Sequence, residues 1–160
     1  MERETQKELD DKANVIVFPP VLFLSAVAFG IALQIVWTIH LRAPLPARII
    51  GALLIPVGIA TALGAKKAMQ RAGTKVHPGE PTTAIVTDGP YRFTRNPIYL
   101  GATTAYLGLT LACNALWPVL TLMPFFWLLH WGVVQREERY LEQKFGQSYL
   151  NYKSRVRRWI

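Results

Sequence analysis

Positions 13–41, 49–65 and 96–135 of this 160-residue chain contain no Asp, Glu, Lys or Arg, giving uncharged runs of 29, 17 and 40 residues. No other feature of the sequence narrows the possible folds as far. A bilayer core about 30 Å thick takes about 20 apolar residues per helix, whereas a helix of a small soluble domain keeps a charged outer face. A chain that is 51% hydrophobic and 18% charged, with its charges collected between such runs, is expected to be a single-domain, all-α polytopic membrane protein. An ordinary soluble enzyme is excluded. Nucleic acid is excluded as the partner of the formal +8 charge, because the basic residues flank apolar runs and form no basic face.

The runs divide into four expected spans. The first covers about 15–40, with Pro19 and Pro20 near its start, where a helix tolerates missing N–H groups. The second, 49–65, is short and contains Pro56; it reads as a span or as a kinked helix packed closely through Gly51, Gly58 and Gly64. The 40-residue run is too long for one helix. Its centre, Cys113-Asn114-Ala115-Leu116-Trp117-Pro118, reads as a tight turn and leaves spans of about 97–114 and 117–135. The mixed-charge start, MERETQKELDDK, is longer and more acidic than a signal-peptide n-region and no small-residue cleavage site is evident, so the first span is expected to be retained.

Four spans satisfy the positive-inside rule. Arg3, Lys7 and Lys12 precede the first span, six basic residues lie in the second connection and seven in the tail, against Arg42 and Arg48 in the first connection and none in the third. Both termini and the second connection are therefore expected in the cytoplasm. Trp37, Trp117, Trp127, Trp131 and Trp159 fall near span ends, as interfacial anchors do, although core packing serves Trp127 and Trp131 equally well. The single cysteine, Cys113, can form no disulfide within the chain. Its apolar neighbours predict a buried small residue.

Polar groups within apolar helices need partners. Gln34 and His40 are expected to find them in a neighbouring helix or interfacial water, and so is His130, which at seven and eight residues before Glu137 and Glu138 shares their helical face. Asn96-Pro97 has the form of an N-cap followed by proline at the first helical position, so a helix start with Arg95 beside it offers N–H groups to an anion. Tyr91, Arg92, Phe93, Arg95 and Tyr99 alternate aromatic and basic character, which predicts an ordered loop at a membrane surface. After the fourth span, an amphipathic helix is expected to stop at Gly146 and a second to carry Tyr149, Leu150 and Tyr152. Glu137 and Glu138 need either a partner such as Arg136 or Arg139, or a cationic ligand.

Two blocks in order, AIVTDGPYRFTRNPIYLG at 84–101 and EERYLEQKFGQSYLNY at 137–152, resemble the signatures LVTxGPYRxxRHPxYxG and EExxLxxxFGxxYxxY of the isoprenylcysteine carboxyl methyltransferase and phospholipid methyltransferase group of membrane enzymes. The resemblance implies a cytosol-facing pocket, built from about 76–101 and 136–152, that holds S-adenosylmethionine and releases S-adenosylhomocysteine. Carried across by position, the cofactor contacts fall on Thr83, Ala84, Ile85, Val86, Tyr91, Arg95, Asn96, Pro97, Ile98 and Tyr99, with Glu137 or Glu138 from the second block. It further implies methyl transfer to a lipophilic acceptor delivered by the lipid bilayer, with Glu137, Glu138, Arg136 and His130 as the candidates for catalysis and no metal. The glycine-rich dinucleotide fingerprint is absent from the sequence, as expected if another fold holds the cofactor.

This chain departs from the family pattern at three places. Asn96 stands where the family has histidine, Val133 and Val134 stand where the prenylcysteine enzymes have a substrate-binding arginine, and the ending RVRRWI lacks the common proline after valine. The cofactor half of the site is thus expected to be present, with the acceptor left open among a prenylcysteine carboxylate, a phospholipid amine and another hydrophobic molecule. Two rivals are an NADPH-dependent membrane reductase, which shares a similar second block, and a noncatalytic membrane scaffold. Oligomeric state does not follow from the sequence.

Overall fold

Proline opens each apolar helix of this chain within its first two positions, fixing φ where the missing N–H has no helical acceptor to lose. The computed structural model describes residues 15–74 and 81–160. In order, the elements are α1 (Pro19–Val36), α2 (Leu45–Arg71), a 3-10 turn (Gly89–Arg92), α3 (Pro97–Ala112), α4 (Trp117–Leu129), a π-helical turn (His130–Val134), α5 (Gln135–Phe145) and α6 (Gln147–Arg155). Among the described residues there is no strand, and a lone bridge joins His40 to Ala115. The expectation of an all-helical protein agrees with this architecture. The expected segment 76–80 and the charged N-terminal stretch lie outside the described residues.

Among the described residues, three helical rods are long and apolar enough to cross a membrane: Pro19–Val36, Leu45–Arg71 and Trp117–Phe145. The second is much longer than the expected 49–65, because helix formers Lys66, Lys67, Ala68, Met69 and Gln70 extend it beyond its apolar part. In the third, the apolar part ends at Val134, and α5 beyond it carries a charge at almost every position of its first turn. The expected span 97–114 folds as α3, only 16 residues long, about 24 Å at 1.5 Å per residue.

α3 lies in backbone contact with α2. A Cβ on Gly58 would come within 2.5 Å of the Ala105 nitrogen and the Gly101 oxygen, and one on Gly108 within 2.6 Å of the Gly51 oxygen. Glycines seven apart on both helices thus make the close approach that Gly51 and Gly58 predict. Gly64 meets Pro90 of the 3-10 turn instead, at 3.3 Å. α1 packs on α4, with Phe23 edge-on to Tyr106 and Phe125 at 5.9 and 5.6 Å. Phe125, Leu129, Val133 and Val134 form the buried core.

The connections 37–44 and 113–116 meet at one end of the bundle. Leu116 N donates to Ile39 O and Leu41 N to Asn114 O, each at 3.1 Å, while the Asn114 side chain accepts from Ala43 N at 2.9 Å. Asn114 has φ 56°, a left-handed turn conformation that asparagine tolerates. Gln34 donates to Ile39 O at 2.9 Å and accepts from Trp117 N, at the start of α4, at 3.4 Å, so a neighbouring helix supplies one of its partners as expected. Trp37 and Trp117 stack there, 5.6 Å between centroids. Trp127 and Trp131 face outward and are not core residues. Cys113 corrects the expectation of burial: it is exposed, because it caps α3 at this turn and its apolar neighbours belong to a helix end.

Candidate functional site

At the opposite end of the bundle, several parts of the chain line one cavity of about 240 Å³. The extended segment before the 3-10 turn contributes Ala84, Ile85 and Val86, and the turn itself Tyr91. The next loop and the start of α3 contribute Arg95, Asn96, Pro97, Ile98 and Tyr99, and α5 contributes Glu137 and Glu138. The structure therefore gathers into one lining eleven of the residues the sequence singles out.

Three others lie outside the lining. Thr83 donates its hydroxyl to Gly73 O at 3.0 Å and its N–H to Thr74 Oγ1 at 3.1 Å, which fastens the loop to the end of α2 and keeps Thr83 out of the lining. Arg136 sits on α5 outside the lining. His130 lies in the π turn, on an outer groove with Met123 and Trp127. Its Nε2 is 3.2 Å from Gln135 Nε2 and 3.4 Å from Arg158 Nη1. A π turn with a wider ring separates His130 from the glutamates, yet His130 and Glu138 both meet the Arg158 guanidinium.

The two adjacent glutamates are held differently. Glu138 is buried, at 5% exposure. Arg158 donates to both its oxygens, Nε to Oε1 at 2.9 Å and Nη2 to Oε2 at 2.8 Å, and Arg95 Nη1 lies 3.3 Å from Oε1. The bond to Glu138 in turn raises the Arg158 pKa. Glu137 instead accepts from the Tyr99 hydroxyl at 2.8 Å. Burial pushes its carboxyl up to about 7, with the Tyr99 bond pulling down and the Glu138 charge pushing up. Glu137 is half-buried and lines the cavity.

The anion-holding corner is equally specific. The side chain of Arg95 is 9% exposed, and its Nε has no hydrogen-bond partner among the described residues. Ile98 and Tyr99, in the first turn of α3, carry N–H groups with no acceptor inside the helix. Asn96 occupies the N-cap position but makes no capping bond, which corrects the expected role. Its amide donates to Arg158 O at 3.0 Å instead.

Other residues complete the cavity without a sequence signal. Pro19 and Pro20 bring the start of α1 to the wall, and Met69 brings the end of α2. Tyr140 accepts from Thr82 N at 3.2 Å, and Tyr152 donates to Tyr91 O at 2.8 Å. Burial raises the pKa of Tyr91 and Tyr152 and lifts Tyr149 to about 12, so all three are neutral hydroxyls near neutral pH. Tyr149 and Tyr152 sit in the second sequence block, at a helical spacing that could have marked them. Arg158 had only the run of tail arginines to announce it.

A protein of Haemophilus influenzae (strain ATCC 51907 / DSM 11121 / KW20 / Rd), described only as uncharacterized, is 41% identical over 63 residues, covering 39% of this chain and 79% of that one. No solved structure matches. The family model for phospholipid methyltransferase matches residues 46–148, which include α2, α3, α4, α5 and the cavity residues between them. The chain belongs to the phospholipid methyltransferase family, a family of membrane methyltransferases.

Proposed function

We propose that the protein moves the methyl group of S-adenosylmethionine onto a lipophilic acceptor that enters from the bilayer, releasing S-adenosylhomocysteine. The observation that carries this reading is the presence, in one cavity, of an anion-holding corner and a carboxylate wall. Arg95 with the first-turn N–H groups of Ile98 and Tyr99 suits a carboxylate. Glu137 suits an ammonium or sulfonium group. An amino-acid end with both charges, joined to a sulfonium, matches that pair. The rings of Tyr91, Tyr99 and Tyr149 offer faces for a purine or a cation, and the main chain of Ala84, Ile85 and Val86 offers edge hydrogen bonds.

When bound, S-adenosylmethionine supplies an electrophilic methyl group. The chain's own residues align the partners and exclude water, which an in-line displacement needs more than it needs a strong base. Where the acceptor is an amine, Glu137 receives the proton that the incoming methyl group displaces. Glu138 is unsuited to that role, since two guanidinium groups already hold it. The acceptor is an isoprenylcysteine carboxylate, a phospholipid amine or another hydrophobic small molecule. In the membrane we place both termini and the cavity in the cytoplasm, with α3 crossing in addition to the three longer rods.

Equilibrium binding to purified protein in detergent tests the reading, with S-adenosylmethionine, S-adenosylhomocysteine and NADPH as ligands. The two adenosyl ligands are expected to bind, and Glu137→Gln to weaken them by about tenfold, the loss of one charge-assisted hydrogen bond. Binding of NADPH alone overturns the reading, and binding of none of the three favours a scaffold. Transfer of a radiolabelled methyl group onto total membrane lipid and protein then identifies the acceptor.

A further inference from the structure

The last residues of the chain turn back from α6 across the loop that precedes α3. Arg157 O accepts from Arg95 N at 3.0 Å, and Arg158 O accepts from both the Thr94 hydroxyl and the Asn96 amide at 3.0 Å. Trp159 stacks on Phe126 at 4.7 Å, anchoring the return to α4. The Arg158 guanidinium is thereby aimed at Glu138, whose two oxygens it holds at 2.9 and 2.8 Å.

We propose that Arg158 is a positioning residue: by gripping both oxygens of Glu138 while its carbonyl holds Thr94 and Asn96, it fixes the carboxylate wall against the anion-holding corner and leaves Glu137 as the carboxylate that meets the ligand. The proposal rests on the reading above in giving Glu137 a ligand. Its physical basis is charge balance in a small buried space. Two guanidinium groups, Arg95 and Arg158, face one carboxylate, Glu138. Removal of Arg158 leaves a buried carboxylate with Arg95 alone, at 3.3 Å and off the hydrogen-bond axis. Arg95 must then close on Glu138 and desert the corner, because an unpaired buried charge is the costlier outcome.

The same change acts on Glu137. The groups facing it are Tyr99 of α3, Tyr91 of the 3-10 turn and Glu138 on its own helix, with Tyr149 and Tyr152 of α6, Arg95 and Arg158 around Glu138. His130 meets the outer edge of Arg158. Loss of the Arg158 charge makes this surrounding more negative, so Glu137 holds its proton to higher pH.

Infrared titration of the buried carboxyl band in purified protein reads this directly, the band being assigned by its loss in Glu137→Gln. Arg158→Gln is expected to raise the midpoint by about one pH unit, and Glu138→Gln to lower it by about as much. Arg158→Lys keeps the charge without the two-pronged grip, so its midpoint should stay near the wild-type position while its binding of S-adenosylhomocysteine weakens; unweakened binding overturns the positioning role. A midpoint unmoved in Arg158→Gln, or moved alike by Arg158→Gln and Arg158→Lys, overturns the proposal and leaves Arg158 a packing residue. If Arg158→Gln does not fold alone, Glu138→Gln supplies a background without the buried charge, in which adding Arg158→Gln must still raise the midpoint. A wild type that titrates as expected yet binds no S-adenosylhomocysteine overturns the methyl-transfer reading and spares the role of Arg158.

Discussion

Glu137 and Glu138 are neighbours in sequence with opposite situations in the fold. The charge pattern required that each find a partner, but Arg136 and Arg139 were the partners in view, one residue away. The partner of Glu138 is Arg158, twenty residues on, and that of Glu137 is the Tyr99 hydroxyl, from another helix. A consequence at this scale concerns pH. The folded value of Glu137, about 7, stands above its ordinary 4.5. Between the two the folded protein keeps a proton that the unfolded chain has released, so this group's contribution to stability is full below the ordinary value and is lost as pH rises towards 7. The full effect is about 3 kcal/mol. Thermal unfolding in detergent should show the wild type losing stability between about pH 5 and about pH 8 and Glu137→Gln losing less of it. Equal losses in the two proteins count against a buried, protonatable Glu137.

Among the elements, the four apolar helices were legible from their uncharged runs and their opening prolines, and the stop at Gly146, with φ 51°, from its residue type. Two features were not. The π turn at His130–Val134 carries no residue signature, and it shifts which residues share a face below it. The length of α2 was hidden because its last turns are polar and project beyond the apolar stretch. The glycine contacts between α2 and α3 give an element-scale prediction. Gly58→Val puts side-chain atoms where the α3 backbone lies, 2.5 Å from a Cβ, and should cost about 2 kcal/mol or more in stability. Because the start of α3 carries Ile98 and Tyr99, the variant should also weaken S-adenosylhomocysteine binding. Gly73→Ala, with nothing among the described residues within 4 Å of the added Cβ, should retain binding, at a backbone cost of about 1 kcal/mol for its φ of 67°. Melting curves and binding isotherms of the two variants make the comparison.

At the scale of the whole molecule, the turn bearing Cys113 and the cavity lie at opposite ends of the bundle. With four crossings and a cytoplasmic cavity, Cys113 faces away from the cytoplasm. A membrane-impermeant thiol reagent should label Cys113 in intact cells, whereas Gly73→Cys in a Cys113→Ser background should react only after permeabilisation. The reverse pattern inverts the orientation, and labelling of both in intact cells removes one crossing. The order of residues was enough for the helical class, the apolar rods and the gathering of sixteen of eighteen basic residues into the two terminal segments and the second connection, because solvation by lipid or water is decided residue by residue along a chain. It took the packed fold to show that Pro19, Pro20 and Met69 wall the cavity, that Glu138 is clamped from the tail, and that His130 meets Arg158 outside the cavity lining. Those contacts join segments far apart in sequence, and they depend on helix packing and a local change of pitch that residue-by-residue solvation does not encode.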